Sequence, residues 1–295
     1  MGHHNRHFAG DRYALSGAWS PPTSSANFCE EDYVVTIYVA EFINSLTNFA
    51  YVYFALRYMY GRGSRGLFAP KTDFMSVSLL ILGICSFLFH ASLRQTLQFA
   101  DELGMLLLAW SLLQGLLTGR RPGGSDIAIN VILAIVFPVF AVFYVWTGKI
   151  IYHATAFILM VVVMAARGHH LFYWRTPAFP AAKLAVWRFQ GAKALGLLIL
   201  GYGLWNVDLE LCAQLRSLRE YVGLPWAWLF EFHGWWHILT AWAANVLIEV
   251  IREVQEELTN EKAKTHFLRG KPREEGYLGD FRNNRSEFAP EANAV

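Results

Sequence analysis

Three histidines and one aspartate carry the strongest chemical signal in the chain. His233 and His237 stand four residues apart in the segment FEFHGWWHILTA. On a helix that spacing puts two imidazoles on one face, about one turn apart. It is the spacing with which a helix offers two ring nitrogens to one metal. His90 closes the apolar run CSFLFHASL and supplies a third imidazole from a different part of the chain. Three neutral imidazoles with an open fourth position make a catalytic zinc arrangement. Zinc held there would polarise a carbonyl and bring the pKa of bound water toward about 7. Asp101, in FADELGM, is not needed as a ligand. It can take a proton from that water and return it to a leaving group. Ser86 precedes His90 by four residues, so its hydroxyl shares the same face and can donate to an oxyanion.

Each of these residues also has an ordinary reading. A single histidine in an apolar run is often a hydrogen-bonded packing residue. Trp235 and Trp236, between the paired histidines, fit a membrane-interface belt. Asp101 alone could pair with a basic group. The coincidence of three histidines and an aspartate at one predicted depth favours chemistry, because ionisable groups inside a membrane are costly. His169–His170 and His3–His4 fall in a loop and a tail and are read as solvated.

A second cluster lies in NFCEEDYVVTIYVAEF. Asn27, Glu30, Asp32 and Glu41 are hard oxygen donors crowded before and inside a membrane entry. They could form a calcium site, which takes six to eight such oxygens. They could equally form a solvated acidic collar, with Glu41 bonded to another helix. Spacing alone does not choose. The chain has three cysteines, too few for a disulfide scaffold. Cys29 and Cys212 fall on the same, non-cytosolic side, where disulfides are permitted. Cys85 lies in an apolar run and is read as inert packing.

The elements that must position these groups are membrane spans. Hydrophobic residues make up 55% of the 295 residues and charged residues 16%, with 22 Phe, 13 Tyr and 11 Trp. A soluble domain carries roughly 25% charged residues. Mean hydropathy is +0.28. This composition excludes a soluble, fibrous or disordered chain, and a net charge of +2 gives no field for nucleic acid. Windows of about 20 apolar residues predict seven spans, at 33–56, 74–92, 98–118, 126–146, 150–166, 190–206 and 232–251. They are separated by the breakers GRGSRG, GRRPGG and TPAFPAA. Eleven Lys and Arg fall in the loops after spans 1, 3 and 5, against four in the loops after spans 2, 4 and 6. The basic side is therefore expected in the cytosol. The N-terminus has no apolar h-region, so no cleavable signal peptide is expected. The expected organisation is a luminal segment over 1–32, a seven-span catalytic domain over 33–251, and a cytosolic tail over 252–295. That tail starts as a helix and ends disordered.

Five ordered motifs resemble the alkaline ceramidase family, seven-span amidases in the wider group that includes the progestin/adiponectin receptors. They are the 27–48 segment N-F-C-E-E-D-Y-x-V-T-x-Y-x-A-E-F-x-N-x-x-x-N, then S-F-L-F-H, D-E-L-x-M, W-N-x-D and F-H-G-W-W-H-I-L-T. The resemblance implies an all-α seven-span bundle with zinc on His90, His233 and His237. It implies Asp101 as proton carrier and Ser86 near the oxyanion. It further implies calcium at Asn27, the Phe28 carbonyl, Glu30, Asp32 and Glu41, and a Cys29–Cys212 disulfide. Where family members often read Asp-Trp-Cys-Glu-x-Asn, this chain reads Asn27-Phe28-Cys29-Glu30-Glu31-Asp32. The acid and the amide have exchanged places, and the carboxylate count is kept.

The expected function is zinc-dependent hydrolysis of ceramide or phytoceramide, drawn from the bilayer, to a sphingoid base and a fatty acid, with reverse synthesis open to the same site. The expected location is the endoplasmic reticulum or Golgi membrane, and no nucleic-acid partner is expected. A seven-span receptor or scaffold with structural zinc is the alternative; a purely structural site has no use for Asp101. A transporter would place its polar groups near the midplane, whereas here they cluster toward one face.

Overall fold

The computed structural model describes residues 11–118, 124–176 and 178–270, with side chains described except at 124–125 and 262–270. His3, His4, Arg120, Arg121 and the predicted tail beyond 270 lie outside these residues. The described chain is helical. No strand forms among these residues; a single bridge joins Thr36 and Val39. Among the described residues nine α-helices follow in order: α1 (Phe42–Thr47), α2 (Phe49–Met59), α3 (Phe74–Ser92), α4 (Gln95–Leu117), α5 (Gly124–Thr147), α6 (Ile150–His169), α7 (Ala181–Glu210), α8 (Cys212–Val222) and α9 (Phe232–Gly270). A π-wound turn, His170–Trp174, extends α6.

Among the described residues five helices are long and apolar enough to cross a membrane: Phe74–Ser92, Gln95–Leu117, Asp126–Thr147, Ile150–Trp174 and Ala181–Glu210. Large apolar side chains on the outer faces of α5 and α6 are exposed, among them Val139, Val142, Ile158 and Leu159. Such a belt belongs in lipid.

The first predicted span differs in form. Helix is expected from residue 33, but the chain runs in turns to Glu41 and then bends between α1 and α2 at Asn48. The β-branched run Val34-Val35-Thr36-Ile37 has low helix propensity. The residues flanking it take other backbone partners. Tyr33 N–H donates to Ala40 O (2.8 Å), Ala40 N–H to Ala91 O (2.9 Å) and Glu41 N–H to His90 O (3.0 Å). The seventh predicted span is the first half of α9. That helix has 39 residues, about 58 Å at 1.5 Å per residue, and continues well beyond the apolar segment.

The start of α3 follows local chemistry. Asp73 caps α3: its Oδ1 accepts from Ser76 N–H at 2.7 Å, and Ser76 Oγ accepts from Asp73 N–H at 3.2 Å. This reciprocal pair satisfies two otherwise orphaned donors. The core runs between α2, α3, α4, α7 and α9 and includes Tyr51, Leu82, Leu112, Trp187 and Ile248. Gly234 lets α1 and α9 approach, since a Cβ there would lie 3.1 Å from Ile43 Cγ2 and 3.2 Å from Thr47 Cγ2. Links of two residues, 93–94 and 148–149, turn the chain between α3 and α4 and between α5 and α6. They bring the end of α3 and the starts of α4 and α9 to one end of the bundle.

Candidate active site and metal centre

His90 lies in the last turn of α3, and His233 and His237 in the first turns of α9. All three are buried. Their ligand atoms lie within 4.8 Å of one another, so they could hold a metal ion. His233 Nε2 and His90 Nε2 are 3.4 Å apart. Two rings are set by partners on their other nitrogen. Glu41 Oε2 lies 2.5 Å from His90 Nδ1, and Thr47 Oγ1 lies 2.9 Å from His237 Nδ1. An occupied Nδ1 leaves Nε2 to face the centre, which is how outer groups orient metal-ligating imidazoles. The third ring is set by packing and backbone. Phe28 stacks on His233 with centroids 3.7 Å apart, and Asp208 Oδ1 accepts from His233 N–H at 3.3 Å.

Asp101 stands in the second turn of α4, and its carboxylate is bonded to Ser86. Ser86 is buried one turn before His90 on α3. The structure thus brings Ser86, Asp101 and the three histidines to the same end of the bundle.

The acidic segment folds against this centre. Glu30 is buried, and both its oxygens receive the backbone at the start of α1, from Ile43 N–H (2.6 Å) and Asn44 N–H (2.8 Å). Glu41 Oε1 accepts from Phe28 N–H at 3.2 Å, and Glu41 Oε2 from Asn44 Nδ2 at 3.1 Å. Glu41 therefore touches both the acidic segment and His90. Asn27 accepts from Phe28 N–H at 2.9 Å. Asp32 is 1% exposed, and neither of its carboxylate oxygens has a hydrogen-bond partner; the same holds for Asn44 Oδ1. Burial, and then the charge of Glu41, push the Glu30 carboxyl up to about 8, against the two N–H donors and Arg219. Burial, and then the charges of Glu41 and Asp11, push Asp32 up to about 8, against Arg216. Buried carboxyls whose ionisation is opposed in this way, with the Asp32 oxygens unpartnered, fit a hard divalent cation, which would favour their charged form.

Cys29 and Cys212 are joined as a disulfide with Cα atoms 5.4 Å apart. It ties the acidic segment to α8. Arg219, paired with Glu231, also donates to Cys29 O at 2.8 Å.

Several positioning groups escaped the sequence reading. Asp208 is fully buried and joins Cys29 N–H (3.2 Å) to His233 N–H. Its signal was the acid of the W-N-x-D motif, to which no role was assigned. Thr47 and Asn44 carried no signal distinguishing them from other small polar residues. Glu102 anchors a separate network: it accepts from Tyr144 and from Gln98 Nε2 (3.0 Å), and its carbonyl meets His153 Nε2 (3.0 Å).

A largely apolar cavity of about 440 Å³ lies between α3, α4, α6, α7 and α9; the three histidines do not line it, but Trp236, next to His237 in sequence, does. Tyr51, Trp236 and Thr240 line its upper end, with Tyr51 Oη 2.5 Å from Thr240 Oγ1. His169, Tyr173 and Arg188 line the far end. The arrangement can hold a long apolar molecule with a polar group presented near a metal.

Known proteins narrow this reading. A model of the family described as Ceramidase matches residues 20–272. Alkaline ceramidase YPC1 of Saccharomyces cerevisiae is 32% identical over 242 residues, covering 77% of this chain and 75% of that protein. Alkaline ceramidase 3 of Mus musculus is 28% identical over 230 residues, covering 76% and 81%. Alkaline ceramidase of Arabidopsis thaliana is 24% identical over 258 residues, covering 86% and 93%. The family match takes in every site residue described above except Asp11, and on that ground the chain belongs to the ceramidase family.

Proposed function

We propose that the chain hydrolyses the amide bond of ceramide or phytoceramide to a sphingoid base and a free fatty acid, with zinc on His90, His233 and His237. The observation that carries this reading is the convergence of three buried imidazoles, close to an apolar cavity lined by Tyr51, Trp236 and Thr240, residues neighbouring His237. Bound there, zinc supplies a Lewis acid for the amide carbonyl and acidifies water. The chain's own residues do the rest. Glu41 and Thr47 hold His90 and His237 with Nε2 toward the centre. Asp101 takes the proton of the attacking water and delivers it to the departing amine nitrogen. Ser86 has one hydroxyl proton, and the resting carboxylate of Asp101 holds it. Once Asp101 is protonated that demand falls, and the hydroxyl can donate to the carbonyl oxygen as charge develops. Reverse synthesis uses the same proton transfers in the opposite order.

The acidic segment is read as a calcium site formed by Asn27, the Phe28 carbonyl, Glu30, Asp32 and Glu41. The partnerless oxygens of Asp32 support it. Seven spans complete the reading. Residues 42–59, through α1 and α2, would extend about 27 Å, and residues 232–251 of α9 about 30 Å, each close to the thickness of a bilayer core. On the asymmetry of basic loops we read the N-terminal segment as luminal and the tail as cytosolic, in the endoplasmic reticulum or Golgi membrane.

The test is mass-spectrometric detection of sphingoid base released by purified protein in detergent, with metal content measured on the same samples. Wild type should release base and carry one zinc. His237→Ala should lose both. Asp101→Asn should keep zinc and lose about 10²–10⁴-fold in turnover, the contribution of a placed acid–base group. Normal turnover by Asp101→Asn removes the proton-carrier role. Zinc without release from any ceramide restores the receptor or scaffold reading.

A further inference from the structure

The Asp32 carboxylate faces a residue that lies before the family-matched region, which begins at residue 20. Asp11 has a side chain only 2% exposed. Its Oδ2 accepts from Asp32 N–H at 3.4 Å, and its Oδ1 pairs with Arg216. Its charge is felt by both Asp32 and Glu41. The segment carrying Asp11 is fastened over the turns at 33–38. Ala18 N–H donates to Ile37 O at 2.8 Å, and Trp19 Nε1–H to Tyr38 O at 2.9 Å. Gly17 lies directly on the Tyr33 ring, where a Cβ would overlap it at 2.1 Å.

Asp11, Glu30, Asp32 and Glu41 thus share one buried region. Arg216 is paired with Asp11, and Arg219 is engaged by Glu231 and the Cys29 carbonyl. Carboxyl groups outnumber basic ones there, and Asp32 points two oxygens at no hydrogen-bond donor. A cation between Asp32 and Asp11 would answer both facts, because hard cations gather carboxylates that otherwise repel.

We propose that Asp11 supplies a further oxygen ligand to the divalent cation held by Asp32 and Glu41, so that the segment 11–20 is an arm clamped by the ion. This rests on the calcium reading above. It also gives the Asn27/Asp32 exchange a physical sense: the acid stands at the position that faces Asp11.

The test titrates calcium into the purified full chain in detergent, with zinc content as an internal control. Asp11→Asn should weaken calcium binding at least about tenfold and leave zinc unchanged. Arg216→Gln removes a guanidinium that competes for Asp11, and it should bind calcium as tightly as wild type or more so. Equal affinity of Asp11→Asn and wild type overturns the proposal. Equal weakening by both variants also overturns it, since Asp11 would then act only through its ion pair. Wild type without calcium binding overturns the calcium reading and the proposal together. A measurement without mutation guards against a misfolded variant. Arg12 is exposed, so tryptic cleavage after it reports on the arm. Calcium should slow that cleavage and a chelator restore it; no effect of calcium overturns the clamp.

Discussion

At the residue scale, Glu41 joins two chemistries. One oxygen meets His90 Nδ1 and the other accepts from the backbone of Phe28 in the acidic segment. A carboxylate on Nδ1–H fixes the tautomer that presents the Nε2 lone pair and makes that nitrogen a better donor. Glu41→Gln keeps the size and loses the charge. We expect it to lower zinc affinity about 10–100-fold, the usual cost of removing such a partner, read by competition with a chelator. Thr47→Val, which removes a neutral partner of His237, should weaken zinc less. Unchanged zinc affinity in Glu41→Gln would confine Glu41 to the acidic segment. The histidines themselves were legible in sequence because a four-residue spacing and a third imidazole at the same depth survive without knowledge of tertiary structure. Asp208, Thr47 and Asp11 were not, because their roles exist only through contacts with residues 25, 190 and 21 positions away.

At the scale of elements, α3 shows how a span is held at the end opposite the histidines. Asp73 caps it and pairs with Arg252 of α9, with Nε to Oδ2 at 2.8 Å and Nη2 to Oδ1 at 3.1 Å. Burial raises the Asp73 carboxyl, but the Arg252 and Ser76 interactions outweigh burial and hold it below its ordinary value. A carboxyl lowered by folding stabilises the fold above its unfolded pKa, about 3.9. That contribution fades as pH falls through the lowered folded value. Asp73→Ala should therefore cost about 1–2 kcal/mol near neutrality, and the gap in Tm between variant and wild type should narrow below pH of about 4. A gap independent of pH would leave only packing at this cap. The predicted span at 74–92 agrees with α3 residue for residue, since a long apolar run with Asp before it has few alternatives. The start of the first span was misread because apolar content does not separate a helix from turns whose N–H groups are answered by carbonyls of another helix. Ala91 O and His90 O supply that answer, and no local pattern announces it.

At the scale of the whole molecule, the proposed function makes the cavity the place where a lipid tail would be selected. An acyl chain entering it leaves hydrocarbon, not water, so apolar transfer adds little, for the same reason that helices in lipid associate by packing. Selection must then come from fit. Gly168 of α6 and Gly191 of α7 both line the cavity, and a Cβ built on either meets nothing within 4 Å. A Cβ at Gly191 meets open space, so Gly191→Phe should add an aromatic ring to the cavity lining. Overfilling a packed apolar space costs about 1–3 kcal/mol, and each 1.4 kcal/mol is tenfold in rate. We expect kcat/KM for a long-acyl ceramide to fall about tenfold or more in Gly191→Phe, with a short-acyl ceramide, zinc content and Tm little changed. The measurement is a series of acyl lengths with the sphingoid base held constant. An equal loss at every length would mean that the ring disturbs the centre itself. No loss at any length would mean that the acyl chain does not occupy this cavity, and that the space between α6 and α7 serves the sphingoid tail or neither.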